Sequence, residues 1–140
     1  MKTIIALSGA ANRGKSTTLR LLIEKIKAKY PTAGIEEKLF KIDITIILTI
    51  NGVKVGIETQ GDPNSRLGTS LARFVENKCK VIICASRSYG GTVDLVHTAA
   101  NAGYEVKWVD KIKVDPREHG RANATMAEEL FRAFQKALLS

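Results

Sequence analysis

A glycine-containing stretch between an apolar segment and an amphipathic one constrains the fold of this chain more than any other feature. Residues 3–8, Thr-Ile-Ile-Ala-Leu-Ser, form a short apolar run that predicts a buried strand. Residues 15–29 carry apolar side chains at helical spacing, which predicts an amphipathic helix. The intervening residues 9–16 read Gly-Ala-Ala-Asn-Arg-Gly-Lys-Ser. The order strand, glycine loop, helix predicts an α/β fold with this loop at the carboxyl end of the first strand.

The loop fits the phosphate-binding pattern G-x-x-x-x-G-K-[S/T] at every position. Glycines leave room for backbone N–H groups to face an anion, and the start of the following helix adds positive potential. We therefore expect a nucleotide to be bound by Gly9, Ala10, Ala11, Asn12, Arg13, Gly14, Lys15, Ser16 and Thr17. In this prediction Lys15 reaches the β- and γ-phosphates as a catalytic residue, and the Ser16 hydroxyl coordinates Mg²⁺.

These residues resemble the phosphate loop of the P-loop NTPase superfamily. The resemblance implies a nucleoside triphosphate, either ATP or another NTP, and Mg²⁺ as cofactors. It also implies a three-layer P-loop NTPase fold, with helices on both faces of a mostly parallel sheet.

A hairpin is predicted in the middle of the chain. Residues 42–50 alternate between apolar and polar side chains, and residues 53–57 do so again after Asn51-Gly52. Asn-Gly is the strongest short-range signal for a two-residue hairpin turn, so these two strands should be antiparallel neighbours. A hairpin in this position is similar to that of Ras-like GTPases, which carry one between their first helix and their second nucleotide motif.

The segment Glu58-Thr59-Gln60-Gly61-Asp62 resembles the D-x-x-G element of P-loop GTPases and ATPases, with Glu58 in place of the aspartate. The resemblance implies that Glu58 holds Mg²⁺ through a water and that the Gly61 amide senses the γ-phosphate. Gln60 and Asp62 are then candidate catalytic residues that orient or activate the attacking water. The alternative interpretation is an ordinary turn that ends a strand.

Two further segments contain candidates. Residues 30–41 are expected to be a polar connection, in which Thr32 is a candidate metal ligand but an exposed turn is the favoured interpretation. Residues 80–85 predict a buried central strand, and the loop 86–92 should follow at its carboxyl end, where open α/β sheets bind ligands. Arg87 in this loop is either a catalytic contact to a γ-phosphate or acidic substrate, or a solvated side chain.

The polarity of the predicted strands suggests their order. The first strand and residues 80–85 are apolar throughout and should be central, whereas residues 42–50 and 104–108 alternate and should be edges. We predict one domain over residues 1–140 with a five-stranded, mostly parallel sheet of order 2-3-1-4-5 and strand 2 antiparallel. This order resembles that of Ras-like GTPases, but residues 109–113 do not fit their guanine-specificity motif, which favours ATP.

Composition excludes some functions and leaves others open. A net charge of +8 favours anionic ligands, but without an arginine-rich tract or interleaved aromatic residues a nucleic-acid partner is possible and not favoured. No apolar run is long enough to span a membrane, and a cytoplasmic location is the expectation. The two cysteines predict no disulfide. Oligomeric state is left open.

We expect Mg-dependent binding and hydrolysis of ATP or another nucleoside triphosphate. One alternative is a small-molecule or nucleotide kinase, with an acceptor bound near Asp62, Arg87 and residues 86–92. The other is a nucleotide-binding interaction module with little catalysis and a protein partner.

Overall fold

The computed structural model describes residues 1–9, 14–62, 65–110 and 116–140. In these residues the strands are β1 (Lys2–Ser8), β2 (Gly34–Phe40), β3 (Asp43–Ile50), β4 (Val53–Glu58), β5 (Val81–Ser86) and β6 (Tyr104–Asp110). The helices are α1 (Lys15–Lys29), α2 (Leu67–Glu76), α3 (Gly91–Ala100) and α4 (His119–Leu139), and a short 3-10 turn, Pro116–Glu118, precedes α4.

The strands form one six-stranded mixed sheet in the order β2-β3-β4-β5-β1-β6. β4, β5, β1 and β6 are parallel to their neighbours in this series, whereas β3 is antiparallel to both β2 and β4. The β3–β4 hairpin turns at Asn51-Gly52, and both residues have positive φ angles, 49° and 82°. These angles are those of the turn that the Asn-Gly pair predicts.

The predicted strand order, 2-3-1-4-5 in a five-stranded sheet, is wrong. It placed the first strand beside residues 53–58, but β5 lies between β4 and β1 and pairs with both. All six residues of β5 are buried, and β1 is buried from Ile4 onward. Polarity identifies both strands as interior, but it cannot tell which of two equally apolar strands contacts β4.

The predicted sheet also lacked a strand, because residues 30–41 were interpreted as a polar connection. Residues 34–40 instead form β2, which pairs with β3 from Gly34 opposite Thr49 to Phe40 opposite Asp43. Six of its seven residues are exposed. A strand that buries neither face has no need of alternating polarity, so the pattern that reveals half-buried strands is missing here.

The two faces of the sheet are covered by different helices. One apolar cluster contains α1 and α4 residues such as Leu22, Ile26 and Phe134 with Ile57 and Ile83 of the sheet. The other contains α2 and α3 residues with the strand residues of opposite phase. Successive residues of a strand point to opposite faces, so Ile57 packs under α1 and α4 while its neighbours face α2 and α3.

None of the helices in the described ranges is long and apolar enough to cross a membrane.

Both cysteines are free and buried, and burial raises the pKa of Cys79 to about 11 and that of Cys84 to about 12. In the unfolded chain both thiols ionise near the ordinary value of 9.0. The folded state therefore binds more protons above this pH, and the free energy of unfolding should fall as pH rises above about 9, with a slope for each thiol that approaches about 1.4 kcal/mol per pH unit near pH 10.

Urea unfolding at several pH values tests this expectation. Cys84→Ala is the matched variant, because it removes one of the two thiols and should lose about half of the thiol contribution to the slope. An identical pH dependence in the variant and in the wild-type protein would show that the buried Cys84 does not contribute.

Candidate functional site

A cleft of about 250 Å³ opens at the edge of the sheet where β4 ends and α1 begins. We call it the edge cleft; its lining is Gly14, Lys15, Ser16, Thr17, Ile42, Asp43, Thr59, Gly61, Asp62 and Ala85. The parallel strands β1, β4 and β5 all end on this side, so the segments that follow them lie close together there. The hairpin brings in the start of β3 as well, since β3 runs the opposite way.

Lys15 is buried at the first position of α1. Its Nζ donates to the carbonyl oxygen of Gly9, just after β1, and to that of Ser86 at 2.9 Å, at the end of β5. The Gly9 N–H also donates to the Ser86 carbonyl, at 3.1 Å. The ammonium group is thus held between the ends of two neighbouring strands and on the wall of the edge cleft.

Position 14 requires a glycine for two reasons, the conformation of its backbone and the close approach of a neighbouring side chain. It precedes α1 with φ 78° and ψ 21°, in the left-handed region that favours glycine. A Cβ at this position would also lie 2.7 Å from Oδ1 of the buried Asn123 in α4. Oγ1 of Thr18 lies within hydrogen-bond distance of both neighbours, at 2.8 Å from the Gly14 carbonyl oxygen and 3.2 Å from Asn123 Oδ1.

The start of α1 attracts anions through its backbone N–H groups, although the carboxylate of Asp43 lies beside Ser16 at its second position. No described side chain caps it, and its first turn contains no acidic residue. The first N–H groups of a helix lack intrahelical acceptors, and the helix dipole places positive potential at this end. Lys15 adds a full charge beside these groups.

An oxygen-rich cluster lies next to Lys15. Oγ of Ser16 is 3.0 Å from Oδ1 of Asp43 and 3.1 Å from the carbonyl oxygen of Thr59. The Thr59 hydroxyl donates to the same Asp43 oxygen at 2.7 Å, and it accepts from the Ile44 N–H at 3.0 Å. A hydroxyl, a carboxylate and a carbonyl therefore converge between α1, β3 and the end of β4.

Sequence reasoning missed Asp43, although a signal was present. The hairpin pairs Thr45 with Glu58, and the same register carried two residues further brings Asp43 opposite Gln60. An antiparallel strand begins where its partner ends, so an acidic residue at the start of β3 had to lie near the end of β4. The alternating pattern of residues 42–50 includes Asp43, but it predicts only the strand, and the register that brings Asp43 to the end of β4 follows from the turn.

Glu58 does not line the edge cleft. Its side chain is fully buried, and its Oε1 accepts from Ser70 Oγ at 2.7 Å. Its Oε2 accepts from Arg66 Nη2 and from the Gln60 N–H, both at 3.0 Å. Ser70 belongs to α2, on the opposite face of the sheet from α1. The two predicted metal ligands, Ser16 and Glu58, are thus separated by the sheet.

Gln60 is likewise engaged outside the cleft, because its Oε1 accepts from Arg66 Nη1 at 2.7 Å. The guanidinium carbon of Arg66 lies 3.7 Å from the ring centroid of Phe40, in β2. Arg66 therefore joins Glu58, Gln60 and Phe40 into one contact group. No sequence pattern pointed to Arg66, since it lies in a turn just before α2.

Asp62 and Arg87 form an ion pair beside the cleft. Asp62 lines the cleft, and its Oδ1 accepts from Arg87 Nε at 3.2 Å and from Nη2 at 3.1 Å. Both side chains are partly exposed, at 54% and 33%. The Arg87 N–H donates to the Thr92 hydroxyl at 3.0 Å, which ties the loop to the first turn of α3.

Of the remaining predicted residues, Thr17 lines the cleft and Gly61 is buried in its wall. Thr32 lies in an exposed turn after α1, at the far end of that helix from Lys15. A helix of this length spans about 22 Å, so Thr32 does not belong to the cleft. Ala10, Ala11, Asn12 and Arg13 lie outside the described residues, as do residues 111–113 of the segment compared with the guanine motif.

No group of three or more histidine, cysteine, aspartate or glutamate residues suited to a metal ion occurs in the described ranges. Comparison of the chain with protein-family models, with curated proteins and with solved structures gives no match.

Proposed function

We propose that the edge cleft binds the phosphates of a nucleoside triphosphate with Mg²⁺, ATP being favoured, and that the protein hydrolyses it. The observation that carries the proposal is the adjacency of Lys15 and the open start of α1 to the oxygen cluster of Ser16, Asp43 and Thr59. One side of the cleft offers positive charge and N–H groups to a phosphate. The other offers oxygen atoms to a cation.

The oxygen cluster suits Mg²⁺ better than a softer metal. Mg²⁺ takes oxygen ligands, and it is commonly held by one or two carboxylates together with substrate phosphates and water. Asp43 supplies one carboxylate and Ser16 a hydroxyl, whereas imidazole and thiolate ligands are absent from the described lining of the cleft. When bound, the cation would neutralise phosphate charge that develops during transfer. We therefore assign the metal to Ser16 and Asp43 in this proposal, in place of Ser16 and Glu58.

Asp62 is the candidate that suits water activation. It is the predicted catalytic carboxylate that lines the cleft, and its partner Arg87 could exchange the carboxylate for a phosphate oxygen. In that exchange Asp62 would become free to accept a proton from water. The cytoplasm, where ATP and Mg²⁺ are abundant, is the compartment that fits the proposal.

Asp43→Asn and Glu58→Gln test this assignment. Asp43→Asn removes a negative charge from the oxygen cluster and should weaken the Mg²⁺-dependent part of ATP binding about tenfold or more. Glu58→Gln should keep the Mg²⁺ dependence, because Glu58 faces Arg66 and Ser70, but it should lower stability by leaving Arg66 without its buried partner.

Calorimetric titration with ATP, with and without Mg²⁺, together with urea unfolding of each variant, separates the two effects. A loss of Mg²⁺ dependence in Glu58→Gln with none in Asp43→Asn would refute the assignment of the metal to Asp43. The same titration with GTP, in the wild-type protein, tests the preference for ATP.

A nucleotide-binding module with little catalysis is the second candidate. It is favoured by one observation: Gln60 is engaged with Arg66 outside the cleft, so of the two predicted water-orienting residues only Asp62 lines the cleft, and there it is paired with Arg87. Steady ATP turnover by the purified protein, abolished in Asp62→Asn, would exclude the module. Binding without turnover would favour it.

A further inference from the structure

β2 is an edge strand of the sheet, and six of its seven residues are exposed. β2 pairs with β3 on one side, and within the described residues no strand pairs with its other side. Ile35 is 51% exposed and Leu39 is 66% exposed. An open edge presents unpaired N–H and C=O groups that can accept another strand, and natural proteins usually guard such edges.

The sequence of β2 is complementary to itself when it is reversed. Gly34-Ile35-Glu36-Glu37-Lys38-Leu39-Phe40 has Glu37 at its centre. An antiparallel copy centred on Glu37 brings Ile35 opposite Leu39 and Glu36 opposite Lys38. By symmetry each of these pairs occurs twice, which gives two apolar and two oppositely charged cross-strand pairs.

From this complementarity we propose that a second copy of the chain pairs with β2 along its outer edge. A two-fold axis perpendicular to the sheet relates the two copies, so the sheets join into one continuous sheet of twelve strands. The axis passes beside Glu37. The interface is isologous, with the same surface contributed by both copies.

The charges select this register over the neighbouring symmetric ones. A two-fold axis perpendicular to the sheet keeps each face on the same side, so the register can change only in steps of two residues. A step in one direction places Glu36 opposite Glu36 of the second copy, and a step in the other places Lys38 opposite Lys38. Each of these registers, like the one centred on Glu37, has one like-charge pair on the axis, but only the register centred on Glu37 also forms two Glu36–Lys38 pairs, and opposite charges across strands are stabilising.

The central Glu37 would face its own counterpart, but its charge is matched within each chain. Lys27 of α1 donates to Glu37 Oε1 at 3.0 Å. Glu36 is also ion-paired within its own chain, 3.6 Å from Arg73, but its side chain is 70% exposed, and Lys38 lies over the Phe40 ring at 5.3 Å. The charges that the pairing needs are therefore at the surface, while the central one is already compensated.

Charge reversal tests the association by sedimentation equilibrium. The wild-type protein should dimerise with increasing concentration between about 1 μM and about 500 μM, the range expected for a small interface. Glu36→Lys places lysine opposite lysine in both symmetric pairs, and Lys38→Glu places glutamate opposite glutamate. Each single variant should raise the dimer dissociation constant about tenfold or more.

Sedimentation of an equimolar mixture of the two variants is the decisive experiment for the proposed register. The chain with Glu36→Lys then meets the chain with Lys38→Glu through two opposite-charge pairs, so heterodimers should form with close to wild-type affinity. Recovery in the mixture also shows that neither variant was merely misfolded. Glu105→Lys, an exposed residue on the opposite edge strand β6, is the control and should leave dimerisation unchanged.

The proposal is overturned if the wild-type protein is monomeric throughout this range, which would mean that the charges guard the edge. It is also overturned if the single reversals leave a dimer intact, or if the mixture fails to recover association. The test requires no nucleotide, so its outcome is independent of the proposed activity.

Discussion

Lys15→Ala should reduce the affinity for Mg-ATP by about a hundredfold, because removing one partner of a desolvated charged contact commonly costs several kcal/mol. The ammonium group is buried and held between the Gly9 and Ser86 carbonyls, so its position is fixed before a ligand arrives. A phosphate would meet an oriented cation together with the first N–H groups of α1. Calorimetric titration measures the change directly.

Lys29→Ala is the matched control for this experiment. Lys29 is in the last turn of the same helix and is exposed, so its removal changes net charge equally without touching the cleft. Its affinity for Mg-ATP should equal that of the wild-type protein. An unchanged affinity in Lys15→Ala, with the fold intact by thermal melting, would refute the proposed phosphate site.

Gly61→Ala should lower the free energy of unfolding by about 1–3 kcal/mol, and it should weaken nucleotide binding at the same time. A Cβ on Gly61 would lie under 3.0 Å from backbone atoms of Ala85, and 2.7 Å from the Ala85 Cβ. The main chain of β5 cannot rotate away as a flexible side chain could. The wall of the edge cleft must therefore shift, since Gly61 and Ala85 both line it.

Gly91→Ala provides the comparison, because nothing lies within 4 Å of a Cβ at that position. Gly91 begins α3, near the same edge of the sheet, and alanine there should be neutral or slightly stabilising through the unfolded state. Urea unfolding and ATP titration of both variants check the expectation. Equal stability of the two variants would show that the Gly61–Ala85 approach can relax without cost.

The first strand and the first helix could be predicted because they combine two periodicities with a loop of defined chemistry. Residues 3–8 and 15–29 form β1 and α1, with Gly14 in the conformation that the loop pattern requires. The Asn51-Gly52 hairpin was predictable for the same reason, since one turn type suits that pair. In each case the structure of the segment is determined by residues that are close together in the sequence.

Strand order and the roles of individual carboxylates depend on interactions between residues that are far apart in the chain. Whether β1 or β5 contacts β4 depends on side-chain packing between helices and strands that are far apart in the chain. Glu58 was assigned from its position in a motif, but the pleat of β4 directs its side chain towards α2. The contact between Asn123 and Gly14 could not be predicted, because no sequence pattern near either residue indicates it.

Glu58, the last residue of β4, and Thr59, which follows it, link the two sides of the sheet through one peptide bond. Thr59 contacts Ser16 of α1 through its carbonyl oxygen, whereas Glu58 contacts Ser70 of α2 and Arg66. The planar peptide between them holds their Cα atoms about 3.8 Å apart. The cleft and the Arg66 contact with Phe40 on the far face therefore meet at adjacent residues of the chain.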